Sequence, residues 1–507
     1  MGYDRFAEES GRLNDVLNAV NLLVWDSRTQ MPAGGAAARG RQIATLTAIA
    51  RQIATGPAMR DALAAARDEV AGEPETSRRR RAVAAMQEGV AALDRIPEAL
   101  LHEAALLKTE AQAAWVAARA RSDFPAFRPY LERSFALQRR IADALGWSDH
   151  PYDALVAQYE PGMTLARLRP LFNTLRARLV PLMQRVLDRP PARRDFLDRD
   201  YPVDRQQEVA RTLTERVGFD YAHGRLDETV HPFEISFTRD DVRITSRYRP
   251  GYLPAGLFAA LHEAGHGMYE QGIDPEIGRS ALATDIVSLY AVGGASFGMH
   301  ESQSRLLENR VGRSRRFWEL NFGLLRDAFP GQLADVSALE FWRAVNHVRP
   351  GLIRVEADEL TYDLHIMLRV ELEAAVIAGD LAVADLPAAW AERMRADLGL
   401  EVPDDARGVL QDVHWSTGYV GSFPTYTLGN VMASQLFAAA ERDPAVAAGL
   451  EAGDYAPLKL WLNHAVHRHG RSRTPEEILQ AATGRGLDPA PYLAYLEAKY
   501  PIAEAAS

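Results

Sequence analysis

The sequence predicts a mainly α-helical protein with a small β-sheet. Apolar residues recur at helical spacing through most of the 507-residue chain, beginning with Leu13, Val16 and Val20. One short stretch alternates with the two-residue period of a strand instead, and it lies halfway along the chain. No low-complexity linker separates the two regions. We therefore expect a single domain over residues 1–507, with a helical N-terminal half ending near residue 225 and a second half from about residue 226.

The N-terminal half reads as one helix after another. Residues 25–32 end in proline and are followed by two glycines, which predicts a break in the first helix. Residues 62–71 and 82–93 are rich in alanine and predict two further helices. Residues 163–218 predict two or three more, separated by a loop at the Pro190-Pro191 pair.

The second half opens with the clearest strand pattern in the chain. Residues 234–245 alternate polar and β-branched side chains around a polar turn, which predicts a short hairpin. A helix follows, with Pro254 suited to its start and Gly272 to its end. The glycine-rich residues 273–297 predict a short helix between loops, and residues 418–430 predict a loop within otherwise helical sequence.

Composition excludes several classes of protein. The chain has 58 basic and 68 acidic residues, a net charge of −10 that disfavours a nucleic-acid partner. It has no cysteine, so disulfides and thiolate metal ligands are excluded. No apolar stretch approaches the roughly 18 residues of a membrane span. The first residues are acidic and lack an apolar signal core, so a cytoplasmic location is expected.

One pentapeptide, His262-Glu263-Ala264-Gly265-His266, predicts a metal-binding helix. Histidines four residues apart lie on the same face of a helix, so both imidazoles can reach one ion. Glu263 lies beside them and can take a proton from a metal-bound water, as in zinc hydrolases. Two structural histidines in an amphipathic helix are the alternative, which the well-formed helix signals around the motif make less favourable.

A catalytic zinc ion usually has three protein ligands and a water molecule. Position 272, where the metzincin pattern would have a third histidine, is Gly272. We therefore expect a downstream carboxylate as the third ligand. Spacing alone leaves five candidates open: Glu270, Glu276, Asp285, Glu301 and Glu308.

Further motifs occur on both sides of the histidine pair. They are His231-Pro232-Phe233, residues 241–245, His300-Glu301-Ser302-Gln303, residues 353–358, residues 411–415 and residues 423–426. These motifs occur in the order found in the carboxypeptidase Taq family of zinc metallocarboxypeptidases. The chain resembles that family over nearly its whole length. The resemblance implies a large helical peptidase with a deep central cleft, a homodimer, and Glu301 as the third ligand. The segment between His266 and Glu301 is longer than is typical of the family, and we expect a loop or an extra helical turn there that leaves the ligands in place.

The resemblance also suggests the residues that act on the substrate. Zinc would polarise the scissile carbonyl, and Glu263 would serve as general base. The oxyanion of the tetrahedral intermediate needs further hydrogen-bond donors. His231, His414 and Tyr426 lie in family motifs and are the candidate donors, with a purely structural contact as the alternative for each.

A carboxypeptidase must also recognise the substrate's terminal carboxylate. A guanidinium offers a rigid fork of donors that matches a carboxylate. Arg354 is the first candidate and Arg243 the second. The alternative for each is an internal ion pair, with Asp358 for Arg354 and Asp241 for Arg243. Asp358 is also a candidate for orienting a zinc-bound histidine.

The sequence thus predicts a metal-dependent carboxypeptidase that removes single C-terminal residues from peptides with a free carboxylate. Zn²⁺ is the expected cofactor, and Co²⁺ or Mn²⁺ could replace it. Two alternatives stay open. One is a helical zinc endopeptidase or dipeptidase with the same metal helix, and the other is a catalytically silent peptide-binding relative.

Overall fold

A computed structural model describes residues 2–501 as mainly α-helical with two small sheets, which confirms the predicted fold class. No helix within these residues combines the length and the apolar character needed to cross a bilayer. The α-helices are α1 (Gly2–Thr29), α2 (Ala36–Thr55), α3 (Pro57–Val70), α4 (Arg78–Arg95), α5 (Glu98–Arg121), α6 (Phe124–Leu145), α7 (Pro151–Val156), α8 (Leu165–Leu187), α9 (Val203–Val217), α10 (Leu253–Gln271), α11 (Phe297–Arg305), α12 (Arg315–Ala328), α13 (Ala338–Val345), α14 (Tyr362–Ala378), α15 (Leu386–Leu398), α16 (Pro424–Ala440), α17 (Pro444–Ala452), α18 (Ala456–Ala465), α19 (Pro475–Thr483) and α20 (Ala490–Lys499). The strands are β1 (Gly224–Glu228), β2 (Glu234–Thr238), β3 (Asp241–Ser246), β4 (Thr284–Asp285) and β5 (Tyr290–Ala291).

Contacts divide the chain into two compact units, and each unit is built from three separate segments. The first unit contains residues 1–94, 192–345 and 432–487, and the second contains residues 95–191, 346–431 and 488–507. The units do not follow the two sequential halves that the sequence suggested. A single catalytic domain over the whole chain stays a prediction.

The core of the first unit forms where α1, α3 and α4 pack against residues 273–291. Leu13, Met59, Met86 and Ile277 are among the side chains buried there. Burying an apolar side chain of this size contributes about 1.5–3 kcal/mol to the stability of the folded state. The apolar stripes of the N-terminal helices therefore have their partner in a segment that begins 178 residues after the end of α4.

The first helix is longer than predicted. α1 continues to Thr29, and the chain leaves the helix only before Pro32. Trp25, which the sequence placed in the break, is buried and helical. Arg39 holds this end of the helix by donating hydrogen bonds to the Leu23 carbonyl and, at 2.6 Å, to the Asp26 carboxylate. These tertiary contacts stabilise the last turns of α1, so the helix extends almost to Pro32.

A three-stranded sheet in the order β1-β3-β2 lies against α10. β2 and β3 pair antiparallel, with Ile235 opposite Arg243, which confirms the predicted hairpin. β1 runs parallel to β3 and was not predicted. Its sequence, Gly-Arg-Leu-Asp-Glu, contains a single apolar residue and shows no strand-like alternation.

Residues 273–297 differ from the predicted short helix. They form a single 3₁₀ turn and the hairpin β4–β5, in which each strand has two residues. Two side chains of α1 hold this hairpin: Asn14 donates to the Ala283 carbonyl and the Thr284 hydroxyl, and Asn21 donates to the Ala291 carbonyl. The long segment is therefore an ordered part of the first unit.

The segment 418–430, predicted as a loop, becomes helical halfway along. α16 begins at Pro424, a residue suited to the first turn of a helix because its missing N–H needs no partner there. Tyr426 therefore lies in the first turn of α16.

Candidate active site

The histidine pair lies on α10, in the first unit. Proline in the first turn and Gly272 at the C-terminal cap bound this helix as predicted. The rings of His262 and His266 lie 5.0 Å apart, centroid to centroid, on one face of the helix. The i, i+4 spacing thus places both imidazoles on the same side, as the motif requires.

Gly265 allows α11 to approach α10 closely. A Cβ atom at this position would lie 2.3 Å from the carbonyl oxygen of Gln303 and 2.6 Å from the Cα atom of Ser304. Both distances are shorter than any real contact of a Cβ atom, so a larger side chain would force the helices apart. The close approach places Glu301 of α11 opposite both histidines.

Glu301 meets both imidazoles with the same oxygen atom. Its Oε2 lies 3.6 Å from His262 Nε2 and 3.4 Å from His266 Nε2. The three ligand atoms lie within 4.8 Å of one another, a spacing that one metal ion can bridge. The other oxygen, Oε1, accepts a hydrogen bond from Arg305 Nε at 2.6 Å, which fixes the carboxylate plane. Of the five carboxylates that spacing left open, Glu301 is the one brought to both histidines.

Glu308 lies behind His262 and was considered only as a possible ligand. Its Oε2 is 2.9 Å from His262 Nδ1, the nitrogen turned away from Glu301. It belongs to a π-helical segment, Leu306–Gly312, that continues α11. Arg305 and Arg313 also donate to its carboxylate, at 3.4 and 3.1 Å. The seven-residue interval from Glu301, two helical turns, is the sequence signal that could have assigned Glu308 to the same face.

His266 has an outer partner of a different kind. Its Nδ1 lies 2.6 Å from Nδ1 of His300, on α11. His300 precedes Glu301 in a family motif, yet no local sequence pattern predicts its contact with His266. In both histidines of α10, then, Nε2 faces Glu301 and Nδ1 is engaged by another side chain.

Burial determines the electrostatics of this cluster. It raises the pKa of Glu263 to about 7 and lowers the pKa of His266 to about 3, so His266 is neutral near neutral pH. Burial also opposes the ionisation of Glu301, but Arg305 and the two histidines outweigh it and hold the pKa of Glu301 well below its usual range. Burial alone would lower the pKa of His262, whereas Glu301 and Glu308 raise it.

Glu263 differs from the other carboxylates of the cluster. It is only 6 % exposed, and no hydrogen bond to its carboxylate occurs within residues 2–501. Glu301 and Glu308 are held by arginines, so the carboxylate of Glu263 is the one that can accept a proton from a bound water molecule.

The donor set fits a divalent metal ion. Two imidazole nitrogens and one carboxylate oxygen are the protein ligands of several catalytic zinc sites. Their outer nitrogens are engaged by other side chains, as is usual for metal-binding histidines. His262, His266 and Glu301 could therefore hold the ion, and Glu263 would lie beside it.

Arg354 lies in the second unit, within a buried charged cluster. Its Nε donates to Asp412 Oδ1 at 2.9 Å, and one terminal nitrogen donates to the hydroxyl of Tyr362 at 3.1 Å. Arg369 donates to the other oxygen of Asp412 at 2.6 Å. Two guanidinium groups thus share one carboxylate. The side chain of Arg369 is fully buried, whereas that of Arg354 is 8 % exposed and is the one that a ligand could reach.

Asp358 has neither of the roles considered for it. Its carboxylate accepts hydrogen bonds from the backbone N–H groups of Arg349, Leu360 and Thr361 at 3.0 to 3.1 Å, and from the Thr361 hydroxyl at 2.9 Å. It therefore secures the turn before α14. Neither an ion pair with Arg354 nor a hydrogen bond to a histidine is among its contacts in the described part of the chain.

His414 and Tyr426 lie together in the second unit. The Nε2 atom of His414 is 3.2 Å from the Tyr426 hydroxyl, and its ring stacks on Phe423 with centroids 4.5 Å apart. Burial, reinforced by the positive charge of Arg354, lowers the pKa of His414 to about 4. A neutral imidazole hydrogen-bonded to a phenol has one proton that the pair can donate to a ligand. The substrate role of His414 and Tyr426 stays a prediction.

A buried carboxylate that the sequence did not single out holds the segment between His414 and Tyr426. Glu373 of α14 accepts from the indole of Trp415 at 2.7 Å, from the Gly421 backbone at 3.0 Å and from the Tyr152 hydroxyl at 2.6 Å. Burial raises its pKa to about 7. Its only sequence signal is one glutamate in an otherwise apolar stretch of helix, which does not distinguish it from other glutamates.

The two remaining predicted residues lie in the first unit. Arg243 of β3 forms a bidentate ion pair with Asp241, both contacts at 3.0 Å, and lies over the ring of Trp25. This is the internal ion pair considered as the alternative for Arg243. His231 is exposed in the turn before β2. The substrate roles of both residues stay predictions.

Comparison with known proteins agrees with the resemblance seen in the sequence. The carboxypeptidase Taq (M32) metallopeptidase family matches residues 5–500. The chain is 42 % identical over 496 residues to thermostable carboxypeptidase 1 of Thermus thermophilus, covering 94 % of each chain, and 37 % identical over 493 residues to carboxypeptidase 1 of Bacillus subtilis, covering 96 % of each. The crystal structure of the M32 carboxypeptidase from Deinococcus radiodurans superposes with a TM-score of 0.93 at 40 % identity, over 98 % of each chain. Sequence motifs, fold and relatives thus agree that this metallocarboxypeptidase belongs to the carboxypeptidase Taq (M32) family.

Proposed function

We propose that this metallocarboxypeptidase removes single residues from peptide C-termini, with His262, His266 and Glu301 as metal ligands and Glu263 as general base. The observation that carries the proposal is the cluster on α10 and α11. Two imidazoles and a carboxylate converge within 4.8 Å, and the carboxylate of the buried Glu263 beside them accepts no hydrogen bond within residues 2–501.

Zinc is the metal we propose, because two imidazoles and a carboxylate are ligands of catalytic zinc sites, and a bound zinc ion would polarise the scissile carbonyl and lower the pKa of water toward about 7. The same donors accept Co²⁺ and Mn²⁺, and availability matters as much as affinity. The arginine contact to Glu301 and the outer partners of both histidines keep the donor atoms in place for any of these ions.

Glu263 handles the proton of the reaction. It accepts a proton from the attacking water as the oxygen–carbon bond forms, and it gives that proton to the amine as the peptide C–N bond breaks. Without the metal ion, burial raises the pKa of Glu263 to about 7, which makes this carboxylate a better proton acceptor than an exposed glutamate. Transfer in both directions leaves Glu263 unchanged after each turnover.

Arg354 is the proposed anchor of the terminal carboxylate. Arg354 and Arg369 carry two positive charges and share the carboxylate of Asp412. A substrate carboxylate would add a negative charge beside them and could accept hydrogen bonds from the terminal nitrogens of Arg354. His414 and Tyr426 belong to the same unit as Arg354 and are the proposed hydrogen-bond donors, with His231 and Arg243 as further candidates.

Three forms of one peptide test the proposal: a free C-terminus, an amidated C-terminus and an acetylated N-terminus. Removing one partner of a buried charge pair costs about 2–5 kcal/mol, so amidation, which removes the carboxylate that Arg354 would bind, should lower kcat/KM by roughly thirty-fold or more. Acetylation should have little effect. Arg354→Ala should slow the free peptide and remove most of the difference. Internal cleavage of the amidated peptide at a comparable rate would instead identify an endopeptidase, and absence of hydrolysis by the metal-loaded protein would identify a silent peptide-binding relative.

We also propose a cytoplasmic homodimer. The resemblance to the family supports the dimer, and a chain without cysteine is compatible with a cytoplasmic location, since it needs no oxidising compartment. The chain has a mass of 56.0 kDa, so light scattering should give about twice this value in solution. A mass of one chain at micromolar concentration would contradict the dimer.

A further inference from the structure

His266 is the start of a chain of hydrogen bonds that leads away from the candidate metal site. His266 Nδ1 lies 2.6 Å from His300 Nδ1, and His300 Nε2 lies 2.9 Å from Glu270 Oε1. The carboxyl of Glu234 is farther from the same His300 nitrogen, at 4.0 Å, so Glu270 is the partner of His300. Two histidines in contact through their Nδ1 atoms can form a hydrogen bond only if one nitrogen donates and the other accepts.

The surroundings of Glu270 decide which nitrogen donates. Glu270 is 4 % exposed and accepts from the backbone N–H groups of Gly293 and Gly294 at about 3.1 Å, and from the Ser236 hydroxyl at 3.2 Å. A carboxylate surrounded by donors accepts from His300 as well, so His300 Nε2 carries the proton. In a neutral imidazole the other nitrogen, His300 Nδ1, is then an acceptor, so His266 Nδ1 donates to it. This tautomer leaves the lone pair of His266 on Nε2, the atom that faces Glu301.

The two glycines that hold Glu270 end the long segment between α10 and α11, and there is no space for side chains on them. A Cβ atom on Gly294 would lie 2.5 Å from Cδ2 of His300, and one on Gly293 would lie 1.9 Å from Cδ1 of Ile273. The segment is attached to α1 through Asn14 and Asn21. The hairpin segment therefore holds Glu270 and packs directly against His300.

We propose that Glu270 is a positioning residue that acts through His300 to fix the tautomer and orientation of His266, and that the β4–β5 segment thereby sets the affinity of the site for its metal. The inference rests on the proposed function, since it takes His266 as a metal ligand. Outer partners of this kind typically change metal affinity by about 10–100-fold. Glu270, one of the carboxylates that spacing left open as a ligand, thus acts two side chains away from the ion.

The test is the dissociation constant for Zn²⁺, measured on the full-length protein by competition with a chromogenic chelator. Glu270→Gln keeps the size of the side chain but places an NH₂ group among N–H donors, so we expect about 10–100-fold weaker binding. Glu276→Gln is the matched control, because Glu276 lies in the same segment, is exposed and pairs with Arg78 rather than with His300. The control should bind Zn²⁺ within about twofold of the wild type.

A double variant separates positioning from a general loss of structure. If Glu270 acts through His300, the variant that combines Glu270→Gln with His300→Phe should bind Zn²⁺ no more weakly than His300→Phe alone. Additive losses would overturn the serial arrangement. A lower melting temperature of the metal-free Glu270→Gln protein with unchanged Zn²⁺ affinity would show a merely structural role and overturn the inference.

Two further results complete the test. Should Glu270→Gln fail to fold, Ser236→Ala removes only one donor to Glu270 and should still weaken Zn²⁺ binding by more than the Glu276→Gln control; equal affinities would overturn the inference. The wild-type protein separates this inference from the proposed function. If wild type does not bind Zn²⁺, the proposed function fails, whereas strong binding by both wild type and Glu270→Gln refutes only the role of Glu270.

Discussion

Replacing Gly265 by alanine should weaken metal binding at the candidate site although none of the three ligands is replaced. The new Cβ atom would lie 2.3 Å from the Gln303 carbonyl oxygen, whereas real Cβ contacts are at least 3.0 Å. The two helices must therefore separate by at least about 0.7 Å, the difference between these distances. Both backbones carry residues of the site, so the shift is transmitted directly to Glu301.

The size of the effect follows from the tolerance of metal coordination. Ligand distances in zinc sites stay within about 0.2 Å of their usual values, so a displacement of this size removes Glu301 from coordinating distance unless the helices deform. Loss of an outer partner already costs about 10–100-fold in affinity. Displacement of a ligand should therefore cost at least about a hundredfold, or about 2.8 kcal/mol. Overpacking should also lower the stability of the metal-free protein by about 1–3 kcal/mol.

Gly323 offers a control with the same chemical change. It lies within α12, and no atom lies within 4 Å of the position that its Cβ would occupy. Gly323→Ala should leave Zn²⁺ binding unchanged and should stabilise the helix by up to about 1 kcal/mol. Chelator competition and the melting temperature of the metal-free proteins measure both quantities. Wild-type Zn²⁺ affinity in a folded Gly265→Ala protein would refute the argument that close packing at Gly265 places Glu301.

Three further predictions test other parts of the site. Glu263→Gln should lower kcat by about 10²–10⁴-fold, whereas its metal content, measured by elemental analysis, should equal that of wild type. Activity within about tenfold of wild type would exclude Glu263 as general base. Glu301→Ala should lower metal content whereas Glu276→Ala should not, and the reverse result would overturn the ligand assignment. Burial raises the pKa of Glu373 to about 7 from an ordinary value of 4.5, so its contribution to stability is present at low pH and is lost as pH rises through about 7. The stability advantage of wild type over Glu373→Gln should therefore shrink by roughly 3 kcal/mol between pH 4 and pH 8 in denaturant unfolding, and a constant difference would contradict the buried, proton-binding carboxyl.

The sequence predicted those elements whose signals are local. The bounds of α10 follow from a proline and a glycine at its ends, and the β2–β3 hairpin follows from alternation around a polar turn. β1 escaped because a polar strand at the edge of a sheet has no periodic pattern. The start of α16 was predicted too late in the sequence. The two glycines and the tyrosine before Pro424 are typical of a loop, so Pro424 was not recognised as the first residue of a helix.

The site was predictable only where the chain itself brings residues together. His262 and His266 are neighbours through the helix, but the choice of Glu301 among five carboxylates depends on a helix contact that Gly265 permits. The partner of Arg354 shows the same limit. Asp358 lies only four residues after Arg354, yet Arg354 pairs with Asp412, 58 positions later. Pairings between distant segments leave no periodic trace in a single sequence.

The interleaved segments of the two units have a consequence for synthesis on the ribosome. The first unit begins with residues 1–94 but receives its last segment only at residue 487, which is 393 residues later. At about 5–20 residues per second, roughly 20–80 s separate these events. For part of that time, residues 273–291 are not yet synthesised and the apolar faces of α1, α3 and α4 have no packing partner. Nascent chains therefore expose apolar surface of the kind that chaperones bind. Neither unit can be expressed as one continuous fragment of the chain, because each consists of three separate segments.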